Sequence, residues 1–406
     1  MEKSKFLIYN HVYISKTLKG KILLYDTKTG NRYETTLPVA SEIINEIYRP
    51  ENLGVVDVSD EYLENKEGRD FFDMVVKMDL GKLLKIEPGI PRIINLLPIL
   101  NLQDDVDKIR KDPELKIGEN SLRYLNELNI YLNSECKLNC WYCHLYYKET
   151  KCCFKYSGNK NLAINDIKTV FDDLANASIL RINFLGGNVL TYPYFDDLIT
   201  LLKKYEFDYH FWIHIENAFY KLSLTDFYHD IIINHPVNKS VIGHFIKKNK
   251  QNEAITYHFF VENEEQCISA ENLIETEAII NFKITPIYTG DNLSFFEENI
   301  YLTKEDIFAK VIPFQEIFRN QKLNANNFGK LYIFPNGIVQ ANPNTKIIGN
   351  IATESLLEII KKELIMNTSW RKIRDEKPCS ECLYQYLCPA PSGYEAIIGK
   401  LNLCKL

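Results

Sequence analysis

Between residues 127 and 310, short apolar runs alternate with longer amphipathic stretches, and this alternation limits the fold more than any other feature. The apolar runs at 127–133, 180–185, 209–215, 230–234, 256–261 and 281–287 are strand-length. Residues 164–176, 194–205, 238–250, 264–276 and 303–310 carry helical spacing between and after them. Strands separated by helices imply parallel strands joined by crossovers, hence an α/β fold. In such folds the ligand site lies at the C-terminal ends of the strands.

The loop after the first of these strands carries Cys136, Cys140 and Cys143 in C-x3-C-x2-C spacing. Four thiolates close an iron–sulfur cube. Three hold three of its irons and leave one position open, and an open metal position is a reaction site. The same residues are compatible with a structural zinc or with buried free thiols. Zinc, however, commonly takes four ligands as two C-x2-C pairs. Trp141 and Tyr142, just before the third cysteine, would screen such a centre from solvent.

The second apolar run ends in Gly186-Gly187-Asn188. Paired glycines at a strand end permit close backbone approach to a ligand, or form a tight βα turn. Near the C-terminal end of the chain, Cys379, Cys382 and Cys388 stand in C-x2-C-x5-C spacing, with Cys404 further on. Four thiolates there can close a cluster or hold a structural zinc. Cys152, Cys153 and Cys267 fit no ligand set.

A chain of 406 residues is long enough for two or three domains. A net charge of −6 argues against nucleic acid or an anionic membrane as partner. The N-terminal residues lack a signal-peptide apolar region. The apolar window 90–102 is too short to span a bilayer and contains Pro91 and Pro98. Ten cysteines without an export signal point to a reducing cytoplasm, where they read as metal ligands.

Four regions follow: 1–87, 88–126, 127–310 and 311–406. In the first, 6–14, 21–25 and 32–36 read as strands around a turn at Gly30. Helix 39–48, a strand near 55–58 and helix 71–84 complete it. The second is a linker interrupted by Pro88, Pro91, Pro98 and Pro113, with a charged run at 104–111. In the last, a hairpin at 329–339 turns at Pro335-Asn336-Gly337, and a helix begins at Ser355.

The cysteine loop and the Gly186-Gly187 turn resemble the signatures of the radical SAM enzymes. The resemblance implies a partial (β/α)6 barrel with a 4Fe–4S cluster on Cys136, Cys140 and Cys143. Its open iron would chelate S-adenosylmethionine for reductive cleavage to a 5′-deoxyadenosyl radical. Where that family has Gly-Gly-Glu, this chain has Asn188, which accepts a hydrogen bond without charge. The loss is about 1–2 kcal/mol, roughly tenfold in binding. Tyr142, Gly186, Gly187 and Asn188 are then expected at the cofactor, with Glu216, Asn217 and Asn234 touching its ribose or adenine.

The tail is similar to the SPASM extension of radical SAM peptide maturases, which implies a second 4Fe–4S cluster on Cys379, Cys382, Cys388 and Cys404. The family's other auxiliary cluster is not expected, because Ser392 stands at one of its positions and the hairpin has no cysteine. Residues 1–87 are similar to the winged-helix peptide-recognition domain of such maturases. The implied function is modification of a ribosomally made precursor peptide, by crosslink, epimerisation or thioether. Its leader would bind the N-terminal region, and an external donor would supply electrons. A catalytically degenerate relative, close to the pseudo-radical-SAM proteins of Bacteroidales peptide systems, is one alternative. A zinc-stabilised scaffold is the other.

Overall fold

A computed structural model describes residues 3–86, 92–98, 121–138, 140, 142–158, 160–174, 177–218, 227–249 and 252–406. Most of the expected linker lies outside these residues, including Pro88, Pro91, Pro113 and the run 104–111, as does Trp141.

The N-terminal region contributes β1 (Lys3–Ile8), β2 (Val12–Lys16), β3 (Ile22–Asp26), β4 (Arg32–Thr35), β5 (Val56–Val58) and β6 (Gly81–Ile86). They form two antiparallel sheets, in the orders β5-β1-β6 and β2-β3-β4. The strand expected over 6–14 is therefore two strands in different sheets, broken by a turn in which Val12 N–H bonds Tyr9 O at 3.0 Å. The helix expected over 71–84 runs instead over Lys66–Lys77, started by Asn65 capping Glu67 N–H. Asp79 at φ 55° ends its phase, and 81–86 pair with β1. Helix Pro38–Ile47 lies as expected.

One face of sheet β2-β3-β4 shares a core with both helices, through Val12, Ile22, Leu24, Ile43, Ile47 and Phe71. The other face presents Tyr13, Leu23 and Tyr25 to Ile307, Ile312, Ile317, Leu383, Leu387 and Cys388. Tyr25 Oη accepts the Ile312 N–H at 2.8 Å, and the Arg32 guanidinium lies 4.1 Å from the Phe308 ring centroid. The N-terminal sheet is thus seated directly against the tail cysteines.

The main sheet has nine strands. β7 (Glu127–Tyr131), β8 (Arg181–Leu185), β9 (Tyr209–His214), β10 (Tyr228–Asn234), β11 (Ile255–Val261) and β12 (Phe282–Pro286) are parallel and adjacent in chain order. β13 (Lys330–Ile333) runs parallel along the free side of β7, and β14 (Ile338–Gln340) and β15 (Gly349–Asn350) continue antiparallel. Helices Ile164–Leu174, Phe195–Leu202, Lys239–Asn249 and Glu264–Glu277 occupy expected positions, while the one expected over 303–310 shortens to Lys304–Ile307.

Strands laid side by side in sequence order, with right-handed crossovers, put every helix on one face. Leu128, Ile130, Phe184, Phe211, Ile231 and Phe259 meet those helices. The alternate residues Tyr131, Leu185, Trp212, Ile232 and Phe260 line the opposite, interior face, where the cysteine loop folds over. Among the described residues no helix is long and apolar enough to cross a membrane.

Candidate active site and second thiol cluster

The cysteine loop is tied down at its start by the end of β8. Gly187 N–H bonds Asn133 O at 3.0 Å, Asn188 N–H bonds Glu135 O at 2.6 Å, and Asn133 Nδ2 donates to Asn188 O at 2.8 Å. A Cβ on Gly186, at φ 148°, would sit 2.8 Å from Asn133 O, and one on Gly187 would sit 2.3 Å from Glu135 O. The close approach these glycines permit is therefore chain to chain: they admit the root of the cysteine loop. Asn188 turns its Oδ1 onto the Leu190 N–H at 3.1 Å, capping the turn Val189–Thr191.

The three thiols of the loop are half-buried. Asn217 Nδ2 approaches Cys136 Sγ at 4.0 Å, and Lys155 N–H donates to Cys143 Sγ at 3.1 Å. Tyr142 hydrogen-bonds Cys140, and its hydroxyl accepts from Asn234 Nδ2 at 2.7 Å. Burial pushes the Cys136 and Cys140 thiols up and Cys143 to about 12, against the opposing pull of backbone N–H donors. A bound cation inverts this balance, because a coordinating thiol is deprotonated outright.

A cavity of ≈ 300 Å³ opens beside Cys140, lined by Tyr142, His214, Glu216, Asn234 and His235 among others. It lies at the C-terminal ends of β9 and β10. Asn234 Oδ1 and His235 Nε2 are buried there without a partner. A buried polar atom left unpaired is costly, so bonding to these two would favour a polar ligand in this cavity. His214 is pushed to about 4 by burial and is neutral; its Nδ1 accepts the Glu216 N–H at 3.2 Å. Cys140, Tyr142, Glu216 and Asn234 thus meet in one cavity, and Asn217 reaches Cys136. Gly186, Gly187 and Asn188 stand at the loop root, outside that lining.

Beneath the loop runs a buried polar layer that sequence reasoning missed. Asp230 bridges His210 Nδ1 and His258 Nε2, each at 2.7 Å. Trp212 Nε1 donates to Asn183 Oδ1 at 3.0 Å, Asn183 Nδ2 to Asn129 Oδ1 at 2.9 Å, and Asn129 Nδ2 to Leu331 O at 3.3 Å. Burial works to raise the Asp230 pKa, but the two histidines overcome it and hold the carboxyl well below the usual range. The available signal was the polar residues interrupting the apolar runs, such as Asn129, Asn183, His210, Asp230 and His258. Towards the ends of β11 and β12, Glu262 accepts from Tyr146 Oη, and Tyr146 stacks on Tyr142 at 4.3 Å. Glu149 accepts the Tyr288 N–H at 2.7 Å and is pushed up to about 8, chiefly by burial and further by Glu262.

The tail thiols form a second group. Cys379, Cys382, Cys388 and Cys404 line one cavity of ≈ 170 Å³. Cys404 reaches it because Leu302 N–H bonds Leu403 O at 3.0 Å and Lys405 N–H bonds Leu302 O at 2.9 Å. Arg374 Nη1 lies 3.8 Å from Cys379 Sγ while Nη2 pairs with Glu395 at 2.9 Å. Asn402 Nδ2 donates to Cys404 Sγ at 3.2 Å. Among the described residues no group of three or more His, Cys, Asp or Glu is disposed to hold a single metal ion. The four thiols ring one cavity, with the Arg374 guanidinium and the Asn402 amide beside them, a donor set that can close a cluster or hold a structural zinc.

No family model matches the chain, and no curated protein matches it. Solved structures do. Streptococcus suis SuiB bound to precursor peptide SuiA is similar at 13% identity over 99% of this chain and 100% of that one, with TM-score 0.49. SuiB bound to S-adenosylmethionine is similar at 13% identity over 99% of each chain, with TM-score 0.46. Hexahistidine-tagged anSMEcpe with bound AdoMet is similar at 12% identity over 65% of this chain and 84% of that one, with TM-score 0.44.

Proposed function

We propose that the chain is a radical SAM protein that binds S-adenosylmethionine beside a 4Fe–4S cluster on Cys136, Cys140 and Cys143 and modifies a ribosomally made peptide. The observation that carries this reading is the cavity joining Cys140 to Glu216 and Asn234. Asn234 Oδ1 is an acceptor and His235 Nε2 can donate or accept, a pair suited to the polar edge of a purine. The bound cluster and cofactor supply one-electron cleavage and hydrogen abstraction. The chain's own residues do the positioning. Tyr142 and Tyr146 roof the interior, the Asn129–Asn183–Trp212 and His210–Asp230–His258 layer makes its floor, and Glu149 holds a proton near its rim.

In this reading 127–310 form the partial barrel and 311–406 hold an auxiliary cluster that relays electrons from an external donor. The reaction takes place in the cytoplasm, without nucleic acid or membrane. Residues 1–87 recognise the leader, with 88–126 as linker. Support comes from β2, which ends its sheet among the described strands and borders a groove of ≈ 670 Å³ with Tyr48, Phe314 and Tyr386. An extended peptide can add to such an edge.

The test is anaerobic incubation of the reconstituted protein with dithionite and S-adenosylmethionine. Formation of 5′-deoxyadenosine is expected, and alanine at Cys136, Cys140 and Cys143 abolishes it. No product from the iron-loaded wild type overturns the enzyme reading. One observation favours a second reading, a non-catalytic relative: the Asn188 side chain is spent on a backbone cap. Zinc in place of iron would leave only the scaffold reading.

A further inference from the structure

We infer that the inner face of the main sheet, at the N-terminal ends of its strands, is an anion site that takes the carboxylates of an acidic peptide. β7, β8, β12 and β13 each turn one charged residue inward there. Leu128, Ile182 and Leu331 meet the helices, so Glu127, Arg181 and Lys330 face the interior. Ile284 packs on the helix side as well, which turns Lys283 inward, beside its register partner His258. Glu127 is the register partner of both Lys330 and Arg181, on the strands either side of it. Lys151, on the chain that follows the cysteine loop, reaches into this layer. Its Nζ lies 3.0 Å from Glu127 Oε1 and 5.5 Å from the Trp212 ring centroid. Four cations therefore share one carboxylate. Asp230, also inward, is taken by His210 and His258. Among the described residues Arg181, Lys283 and Lys330 have no ion pair.

The chain as a whole is acidic, at −6, so this excess of positive charge is local and self-repelling. Burial, together with the neighbouring cations, holds Lys283 and Lys330 below the ordinary lysine range. An anion from outside relieves the repulsion, and it has access, because Arg181 and Lys283 are exposed. The layout selects its kind. Lys330 and Arg181 stand two strands apart, about 10 Å. One small carboxylate does not span that distance, whereas side chains on one face of an extended peptide recur every 7 Å or so, about the right spacing to meet both. The choice of a peptide rests on the function proposed above; the anion site itself does not.

The experiment follows binding of a labelled hexaglutamate peptide to the full-length protein by fluorescence anisotropy. No reductant or S-adenosylmethionine is added, so failure here leaves the cluster reading standing, and failure of that reading leaves this measurement intact. Wild type is compared with Lys283→Met/Lys330→Met. The control, Lys247→Met/Lys248→Met, removes the same charge from the exposed end of helix Lys239–Asn249. The expected result is saturable binding by wild type and control, at least tenfold weaker binding by the Lys283/Lys330 variant, and loss of affinity as salt is raised. If that double variant fails to fold, Lys330→Gln alone decides, with an expected loss of at least threefold. No saturable binding by wild type, or equal weakening by the two double variants, overturns the inference. Citrate that displaces the label as well as unlabelled hexaglutamate does overturns the peptide as ligand.

Discussion

Arg374 is the buried cation beside the tail thiols, and its removal has a cost that can be worked out. It is paired with Glu395 at 2.9 Å, and both side chains are only 8% exposed. Its Nε donates to Pro389 O at 2.6 Å. Arg374→Met keeps most of the stem and deletes the charge, leaving Glu395 with the Ser392 N–H at 2.8 Å and the Ser392 hydroxyl. An uncompensated buried carboxylate costs about 3–5 kcal/mol. The Ser392 bonds place this case at the lower end, about 3 kcal/mol. Arg374→Met with Glu395→Met removes the pair together, which is near neutral in itself. What remains is the lost helix cap at about 1 kcal/mol and the stranded Pro389 carbonyl at about 1 kcal/mol. The single variant should therefore be less stable than the double. Urea unfolding followed by Trp fluorescence reads this, since Trp370 is fully buried four residues away. A single-variant cost under about 1 kcal/mol, or a double variant less stable than the single, would refute the reasoning.

Glu149 titrates at about 8 in the fold against an ordinary carboxylate when unfolded. The folded state binds the extra proton between those values, so stability falls as pH rises through that window. Glu149→Gln should flatten the slope and stabilise the protein near pH 9 but not near pH 5, as thermal melts across pH would show. Tyr25→Ala deletes a buried ring and the acceptor for Ile312 N–H, so it should cost about 3–5 kcal/mol and loosen the tail thiols. Chelator-driven iron release faster than wild type is the readout. For the same reason, deleting residues 1–87 would bare Ile312, Leu383 and Leu387, so point variants test leader binding better than truncation. Asn188→Glu should tighten S-adenosylmethionine about tenfold in equilibrium dialysis, while losing a cap of about 1 kcal/mol. Unchanged affinity would remove Asn188 from the cofactor site.

The main sheet was legible because most of its strands are buried on both faces and read as largely apolar runs between amphipathic helices. The N-terminal strands were less so. Asn10 is a single turn-favouring residue inside an otherwise β-like run, and pairing with β5 and β6 on one side and β3 on the other divides that run there. Leu83 and Leu84 extend the helical phase of Phe71 and Val75, yet pairing of 81–86 with β1 overrides it. At the site, spacing picked out two cysteine groups, and the fold gathers the tail group around one cavity. It did not reveal the role of Gly186 and Gly187, which depends on the backbone of 133–135. The buried Asp230 with its two histidines was hidden for the same reason: its partners lie on neighbouring strands.

The central claim is two separate iron–sulfur centres, and counting iron tests it most directly. Anaerobically reconstituted wild type should hold about eight irons per chain. Alanine at Cys136, Cys140 and Cys143 should remove about half, and alanine at Cys379, Cys382 and Cys388 the other half. Stoichiometric zinc with no iron absorbance, or an iron content indifferent to both sets of substitutions, would contradict it.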